Sequence, residues 1–197
     1  FPILYYGKEA FLSQSPQLHK QVATLGFEKV FEMGPYFRAQ ASHTTRHLTE
    51  FWSIDVEKAF ATDEIIMEDL EKLVFNIWKN VLEKNNKEIE FLKSQVQVPK
   101  LPFEMITYEK ALEIATSKGI KIEWGEDLST PAEKAVSEEF KDPFFITGFP
   151  IDIRSFYYAH KDDKRTKSFD LVAPMRNKSI ELSSGGQRLH NYKELEN

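Results

Sequence analysis

Arg38, Arg46 and His47 stand within ten positions of one another, beside Gln40 and among the hydroxyls of Ser42, Thr44 and Thr45. Guanidinium groups match phosphate oxygens two at a time, so a loop of this content has the chemistry of a polyphosphate grip. A single arginine there would be an ordinary surface charge; the density points to an anion. Ser15, Gln17 and Lys20 form a second group at a helix start, with Gln17 and Lys20 three residues apart and so on one face. Asp170, Glu181 and Ser184 form a third, hard oxygen ligands suited to a divalent cation, followed by Gly185, Gly186 and Arg188. Alone, each of these could be a capped surface helix or a strand ending in a glycine turn. The five histidines have no metal-ligand spacing, no Ser-His-Asp set is recognisable, and neither GxxxxGK[ST] nor GxGxxG occurs.

The elements that must position these groups follow from periodicity and breakers. Residues 1–6 read as a strand closed by Gly7. Ser15 and Pro16 open a helix with Gly26 at its far end, and Leu18, Val22 and Leu25 are its expected buried stripe. Residues 29–33 and 36–39 read as extended, interrupted by Gly34-Pro35. Residues 50–57 alternate, with Trp52, Ile54 and Val56 on one side and Phe51, Ser53, Asp55 and Glu57 on the other. A helix from about 63 to 85 carries the stripe Ile66, Leu70, Leu73, Ile77 and Val81. Residues 95–102 read as a connector, and Thr107 caps a short helix ended by Gly119. Thr130-Pro131-Ala132-Glu133 reads as a capping box for a helix ending near Phe140. Strands are expected at 120–124, 144–147, 155–158, 168–173 and 180–183. The fold class is α+β with an antiparallel sheet flanked by helices.

The composition narrows the rest. With 197 residues and 41% apolar content the chain can bury one real core, and its sixteen Phe suit a globular interior. A net charge of -5 excludes a generally basic nucleic-acid surface, so any RNA contact rests on a local patch. The absence of cysteine excludes a disulfide framework, a thiol nucleophile and a zinc–cysteine site, and fits a reducing cytosol. The apolar runs are too short to span a bilayer and no signal peptide is visible. Phe1 opens directly in a strand-like run and no terminating element follows Tyr192, so the sequence reads as a segment of a larger protein.

Three motifs, in order, resemble one family. Phe37-Arg38-Ala39, five residues, then Thr45-Arg46-His47-Leu48-Thr49-Glu50-Phe51 resembles motif 2 of the class II aminoacyl-tRNA synthetases, in the wording of the archaeal and eukaryotic aspartyl and asparaginyl enzymes. Ser13-Gln14-Ser15-Pro16-Gln17-Leu18-His19-Lys20 matches the family's substrate-side helix, and Glu181-Leu182-Ser183-Ser184-Gly185-Gly186-Gln187-Arg188 resembles its E-[LI]-[ST]-S-G-x-Q-R segment. By this resemblance Arg38 bridges the amino-acid carboxylate and the α-phosphate of ATP, His47 and Arg46 reach the terminal phosphate, and Phe51 stacks on adenine. Gln40 stands where the family usually has Glu, and can still accept a hydrogen bond. Ser15, Gln17, Asp55, Lys20 and Arg188 would hold the amino acid. Glu181 and Ser184, with Asp170 nearby, would hold Mg²⁺ against the ATP phosphates.

The resemblance implies the class II catalytic core and an aspartate-tRNA ligase acting on L-aspartate, ATP and tRNA(Asp), with tRNA(Asn) as a second acceptor. It also implies a cytoplasmic homodimer with no membrane. Lys20 tilts the reading to aspartate, because asparagine has no charge to offset desolvation of the ammonium. Against this, eleven positions separate Asp170 from Glu181, and residues 173–178 look like an insertion of the asparaginyl kind. An asparaginyl-tRNA synthetase, a paralogue making asparagine without tRNA, and a non-catalytic paralogue are the alternatives. On the same resemblance, residues 1–197 are a partial catalytic domain without motif 1, motif 3 or the anticodon-binding domain.

Overall fold

The computed structural model describes residues 1–39 and 48–196. The chain divides into two compact units, Phe1–Ala61 and Thr62–Asn197. In the first, β1 (Pro2–Tyr5) and β2 (Lys8–Phe11) form a hairpin whose two turn residues, Tyr6 (φ 49°) and Gly7 (φ 77°), are both left-handed, as the tightest hairpin turns demand. The second strand of this hairpin was not foreseen. Helix α1 (Gln17–Phe27) then leads into β3 (Lys29–Phe37), which pairs antiparallel with β4 (Glu50–Lys58). The left-handed residue that ends α1 is Glu28 (φ 58°) and not Gly26.

Two expectations for this unit fail. Gly34 and Pro35 do not interrupt the strand but pair with Ser53 and Trp52 inside it. The Arg38 amide donates to Thr49 across the pair, whereas the Phe37 amide points away and donates to the Ser13 carbonyl. Pro35 belongs to the outward series, so its missing N–H removes no bond of the ladder. Helix α1, in turn, buries the face opposite to the one its apolar stripe predicts. Lys20 is 6% exposed and Leu25 is 88% exposed, with Leu18 and Val22 also in the open. The reason is what lies beneath: the covered face of β4 carries Asp55 and Glu57, which Lys20 and Gln17 meet.

The second unit begins with α2 (Asp63–Lys84), found where periodicity placed it, and an unforeseen short α3 (Asn86–Phe91). Its buried stripe is rotated from the expected one: Met67 and Val74 are buried, Ile66, Leu70 and Trp78 pack beside them, and Leu73, Ile77 and Val81 are exposed. A four-stranded sheet follows in the order β5 (Glu104–Thr107), β6 (Phe144–Thr147), β7 (Ser168–Met175), β8 (Lys178–Gly186). The β6–β7 and β7–β8 pairs are antiparallel, and β5 joins β6 in parallel. Helices α4 (Tyr108–Ser117) and α5 (Thr130–Ser137) connect β5 to β6, and α6 (Tyr192–Glu196) closes the unit. Thr107 caps α4 as expected, but Ser129 caps α5, so that helix starts at Thr130 itself.

Successive residues of β6 feed two cores. Phe144 and Ile146 pack with Tyr108, Ala111, Ala132, Val136 and Phe149, while Phe145 packs with Met67, Val74, Phe169 and Leu171. The segments 120–124 and 155–158 are not strands. Ile120 and Ile122 pack on the first core, but the Tyr108 hydroxyl donates to the Glu126 and Glu123 carbonyls and pins the backbone as a loop. Residues 155–158 form a turn, the Tyr158 amide donating to Ser155. No helix among the described residues is long and apolar enough to cross a membrane.

Candidate active site

In the first unit the polar groups converge between α1 and the β3–β4 pair. Lys20 Nζ lies 3.5 Å from Asp55 Oδ1 and 3.7 Å from Glu57 Oε2, and Gln17 Nε2 donates to the same Glu57 oxygen at 2.8 Å. Three donors on one ammonium allow this sharing, and pairing is what makes burial of Lys20 tolerable. The helix presents Gln17 and Lys20 together because they are three residues apart, and Ser15 Oγ accepts the Gln17 amide at 3.2 Å, tying down the entry. Ser15, Gln17, Lys20 and Asp55 therefore belong to one small region, as their assignment to one substrate requires.

Sequence reasoning missed two members of this group and undervalued a third. Glu57, placed by alternation on the Asp55 side of β4, is turned inward onto Gln17. Glu32 sits directly across the ladder from Asp55, and the buried Tyr36 hydroxyl donates to its carboxylate. Burial, then this hydrogen bond, raises the Tyr36 phenol well above its ordinary pKa. Gly34 lies between them on the same face, where an added Cβ would sit 3.1 Å from the Glu32 carboxylate. The signal was available in the alternation of Val30, Glu32, Gly34 and Tyr36. A cleft of about 410 Å³ beside Lys20 is lined by Ser13, His19, Ala23, Phe27 and Glu32.

At the end of β3, Arg38 Nε donates to the Gln14 carbonyl at 3.2 Å, and its guanidinium lies 5.1 Å from the Phe51 ring centre. Backbone pairing sets Phe51 opposite Tyr36, so Arg38 and Phe51 stand together at the mouth of the hairpin. Gln40, Arg46 and His47 lie outside the described residues.

The second unit holds the other group. Asp170 and Ser184 are direct cross-strand partners on β7 and β8. Glu181, three residues from Ser184, would face the other side of a regular strand. It does not, because the register shifts: Leu171 pairs with Ser183 and Val172 with Glu181, leaving Leu182 as an extra residue. The bulge brings Glu181 onto the face of Val172 and Asp170. Burial pushes the Asp170 carboxyl up to about 7, opposed by the Arg154 cation and reinforced by the Glu181 charge. Arg154 NH2 contacts Asp170 Oδ2 at 2.5 Å, while Asp170 Oδ1 is buried with no hydrogen-bond partner among the described residues. An orphaned carboxylate oxygen beside a second carboxylate and a hydroxyl is a donor set that fits Mg²⁺.

Arg188 follows where the chain leaves β8. The Gln187 amide donates to Lys167 and the Leu189 amide to Tyr157, which lays the Arg188 guanidinium 4.2 Å from the Tyr157 ring centre and 5.9 Å from that of Tyr158. The glycines before it serve close packing within the unit. A Cβ on Gly186 would come 2.4 Å from the Lys167 carbonyl, and one on Gly185 2.9 Å from the Phe169 ring. The segment 173–178, read as an insertion, extends β7 and β8 into a longer hairpin that turns at Arg176 and Asn177.

Known proteins resemble this chain over its whole length. The chain is 48% identical over 195 residues to the aspartate–tRNA(Asp/Asn) ligase of Methanocaldococcus jannaschii, covering 98% of this chain and 44% of that protein. It is 49% identical, with the same coverage, to the enzyme of that name from Archaeoglobus fulgidus. The chain thus spans less than half the length of the curated relatives it matches. Among solved structures, asparaginyl-tRNA synthetase from Pyrococcus horikoshii complexed with asparaginyl-adenylate superposes with a TM-score of 0.89 at 38% identity, over 99% of this chain and 46% of that one. The aspartyl tRNA synthetase from Entamoeba histolytica gives 0.84 at 34% identity, over 94% and 40%. The family of class II tRNA synthetases for D, K and N matches residues 2–197, and with its mixed sheet flanked by helices and three motifs in order this chain belongs to that family.

Proposed function

We propose that the protein is an aspartate-tRNA ligase. The observation that carries this reading is the 48–49% identity to relatives named for that activity, joined to a lysine at position 20 on the substrate-side helix. The α-carboxylate of aspartate attacks the α-phosphorus of ATP, the bond to the β-phosphate oxygen breaks, and aspartyl-adenylate and pyrophosphate form. A ribose hydroxyl at the tRNA terminus then takes the aspartyl group and AMP departs. No protein nucleophile is required; alignment and charge complementarity lower the barrier.

In this reading Arg38 spans the carboxylate and α-phosphate, Gln40 and Phe51 meet the adenine, and Arg46 and His47 take the outer phosphates. Lys20 and Arg188 face the aspartate side chain. Asp55 and Glu57 both reach the Lys20 ammonium, Glu32 stands across the ladder from Asp55, and a group of carboxylates of this kind suits the substrate α-ammonium. Glu181, Ser184 and Asp170 hold Mg²⁺, which when bound neutralises charge on the phosphates. The acceptor is tRNA(Asp), with tRNA(Asn) also charged, as the relatives' name has it. A cytoplasmic homodimer, in which residues 1–197 are part of the catalytic domain, completes the proposal.

An asparaginyl-tRNA synthetase is the second reading, favoured by the extended β7–β8 hairpin and by the asparaginyl enzymes among the similar structures. ATP–pyrophosphate exchange by the complete protein separates the two. Aspartate-dependent exchange well above that with asparagine is expected, and preference for asparagine overturns the assignment of Lys20.

A further inference from the structure

Arg154 has no part in the motifs that led to this family, yet it is built into the oxygen cluster on β7 and β8. A short turn at Ile151–Ile153, opened by Pro150, returns the chain so that the guanidinium lies 3.7 Å from the centre of the Phe149 ring. Phe149 is fully buried and fixed from below by Tyr108, and its carbonyl is held by the Thr166 amide and hydroxyl. A planar cation on a rigid ring has little freedom left, and its fork approaches one carboxylate oxygen, Asp170 Oδ2. The other oxygen, Oδ1, is buried without a hydrogen-bond partner among the described residues, as is Arg154 Nε. An unsatisfied buried carboxylate oxygen is costly, and it lies on the strand face that also carries Ser184 and Glu181.

We propose that Arg154 is a positioning residue for the divalent-cation site: by gripping Oδ2 on the Phe149 ring, it aims Oδ1 of Asp170 at the cation shared with Glu181 and Ser184. The inference rests on the Mg²⁺ reading above and adds to it the residue that orients one ligand. Lysine could supply the charge at this position but neither the flat stack nor the fork, so orientation is what arginine contributes.

The test is Mn²⁺ binding to the complete protein, with free Mn²⁺ counted by electron paramagnetic resonance and no nucleotide present. Arg154→Met should weaken Mn²⁺ about tenfold, the usual loss when a ligand's supporting partner is removed, and Arg154→Lys should recover part of it. In Asp170→Asn the further change Arg154→Met should then cost nothing more, because the arginine acts through that carboxylate. Equal or tighter Mn²⁺ binding by Arg154→Met, or losses that multiply in the double variant, overturns the proposal. Should Arg154→Met fail to fold by circular dichroism, Phe149→Leu removes the ring and keeps the guanidinium; unchanged affinity there overturns it equally. If the unaltered protein takes up no Mn²⁺, the cation site falls along with this inference, while aspartate-dependent pyrophosphate exchange still reports on the activity by itself.

Discussion

The two compact units solve the burial problem in opposite ways. The second, Thr62–Asn197, buries apolar rings and aliphatic groups on both faces of its sheet, as the hydrophobic effect dictates. The first, Phe1–Ala61, turns Lys20, Gln17, Asp55, Glu57, Glu32 and Tyr36 toward one another between helix and hairpin. Its apolar residues Leu18, Val22, Leu25, Trp52, Ile54 and Val56 are exposed. Periodicity reports that an element has two distinct faces; it does not report which of them the unit closes over. An interior of paired charges is weaker evidence of stability than an apolar core, and more often marks a place where chemistry is done.

That contrast can be broken by measurement. Phe144→Ala, at a fully buried ring stacked on Phe140, should cost about 3–5 kcal/mol in urea unfolding, whereas Leu25→Ser on the exposed face of α1 should stay within about 0.5 kcal/mol. Similar losses at both sites would remove the distinction between the units.

A smaller effect sharpens it. Lys20→Met leaves Glu57 and Asp55 without their shared cation; because Asp55 is one-third exposed, the cost should be about 1–3 kcal/mol, below that of a fully buried broken pair. Combining it with Glu57→Gln should cost less than the two changes added, since both remove one interaction. Strict additivity would mean that the cluster is an accident of proximity.

The least effect belongs to the surface of the second unit. Hydrogen bonds from Arg165 and the backbone amide of Lys164 hold the Asp162 carboxyl down at about 2, against 3.8 for a free aspartate. A depressed pKa contributes stability above the free value and loses it as pH falls from about 4 through 2. Asp162→Asn should therefore lower stability slightly at neutral pH, by an amount that vanishes as pH falls through 2, so that the acid limb of the melting curve flattens. A large change at pH 7 would show that the pair has a role beyond its own titration.

Much of the chain was legible in advance. Helix α2, the caps on α4 and the strands β4, β6 and β7 each carry a local signal: a long apolar period, a hydroxyl before the first turn, or alternation bounded by breakers. Other features depend on partners far away in sequence. Strand β5 is four residues whose neighbour β6 lies 40 positions on, and residues 120–124 alternate like a strand but lose that state to the Tyr108 hydroxyl. Among candidate site residues, Arg38, Lys20, Glu181 and Arg188 were proposed from residue type, spacing and the family resemblance. Arg154, Glu32 and Tyr36 were not, because one polar residue in an apolar run says nothing until its partner is known.

By itself the amino-acid sequence determined the family and the identities of the groups that could grip phosphate, metal and amino acid, since these are matters of residue type and short-range order. The tertiary structure alone decided which faces are closed and which carboxylates meet. Lys20 is buried because Asp55 and Glu57 happen to lie under it. Glu181 joins Asp170 and Ser184 because one extra residue, Leu182, shifts a register that alternation would otherwise have kept apart. Long-range pairing settles both, and no local pattern of side chains encodes it.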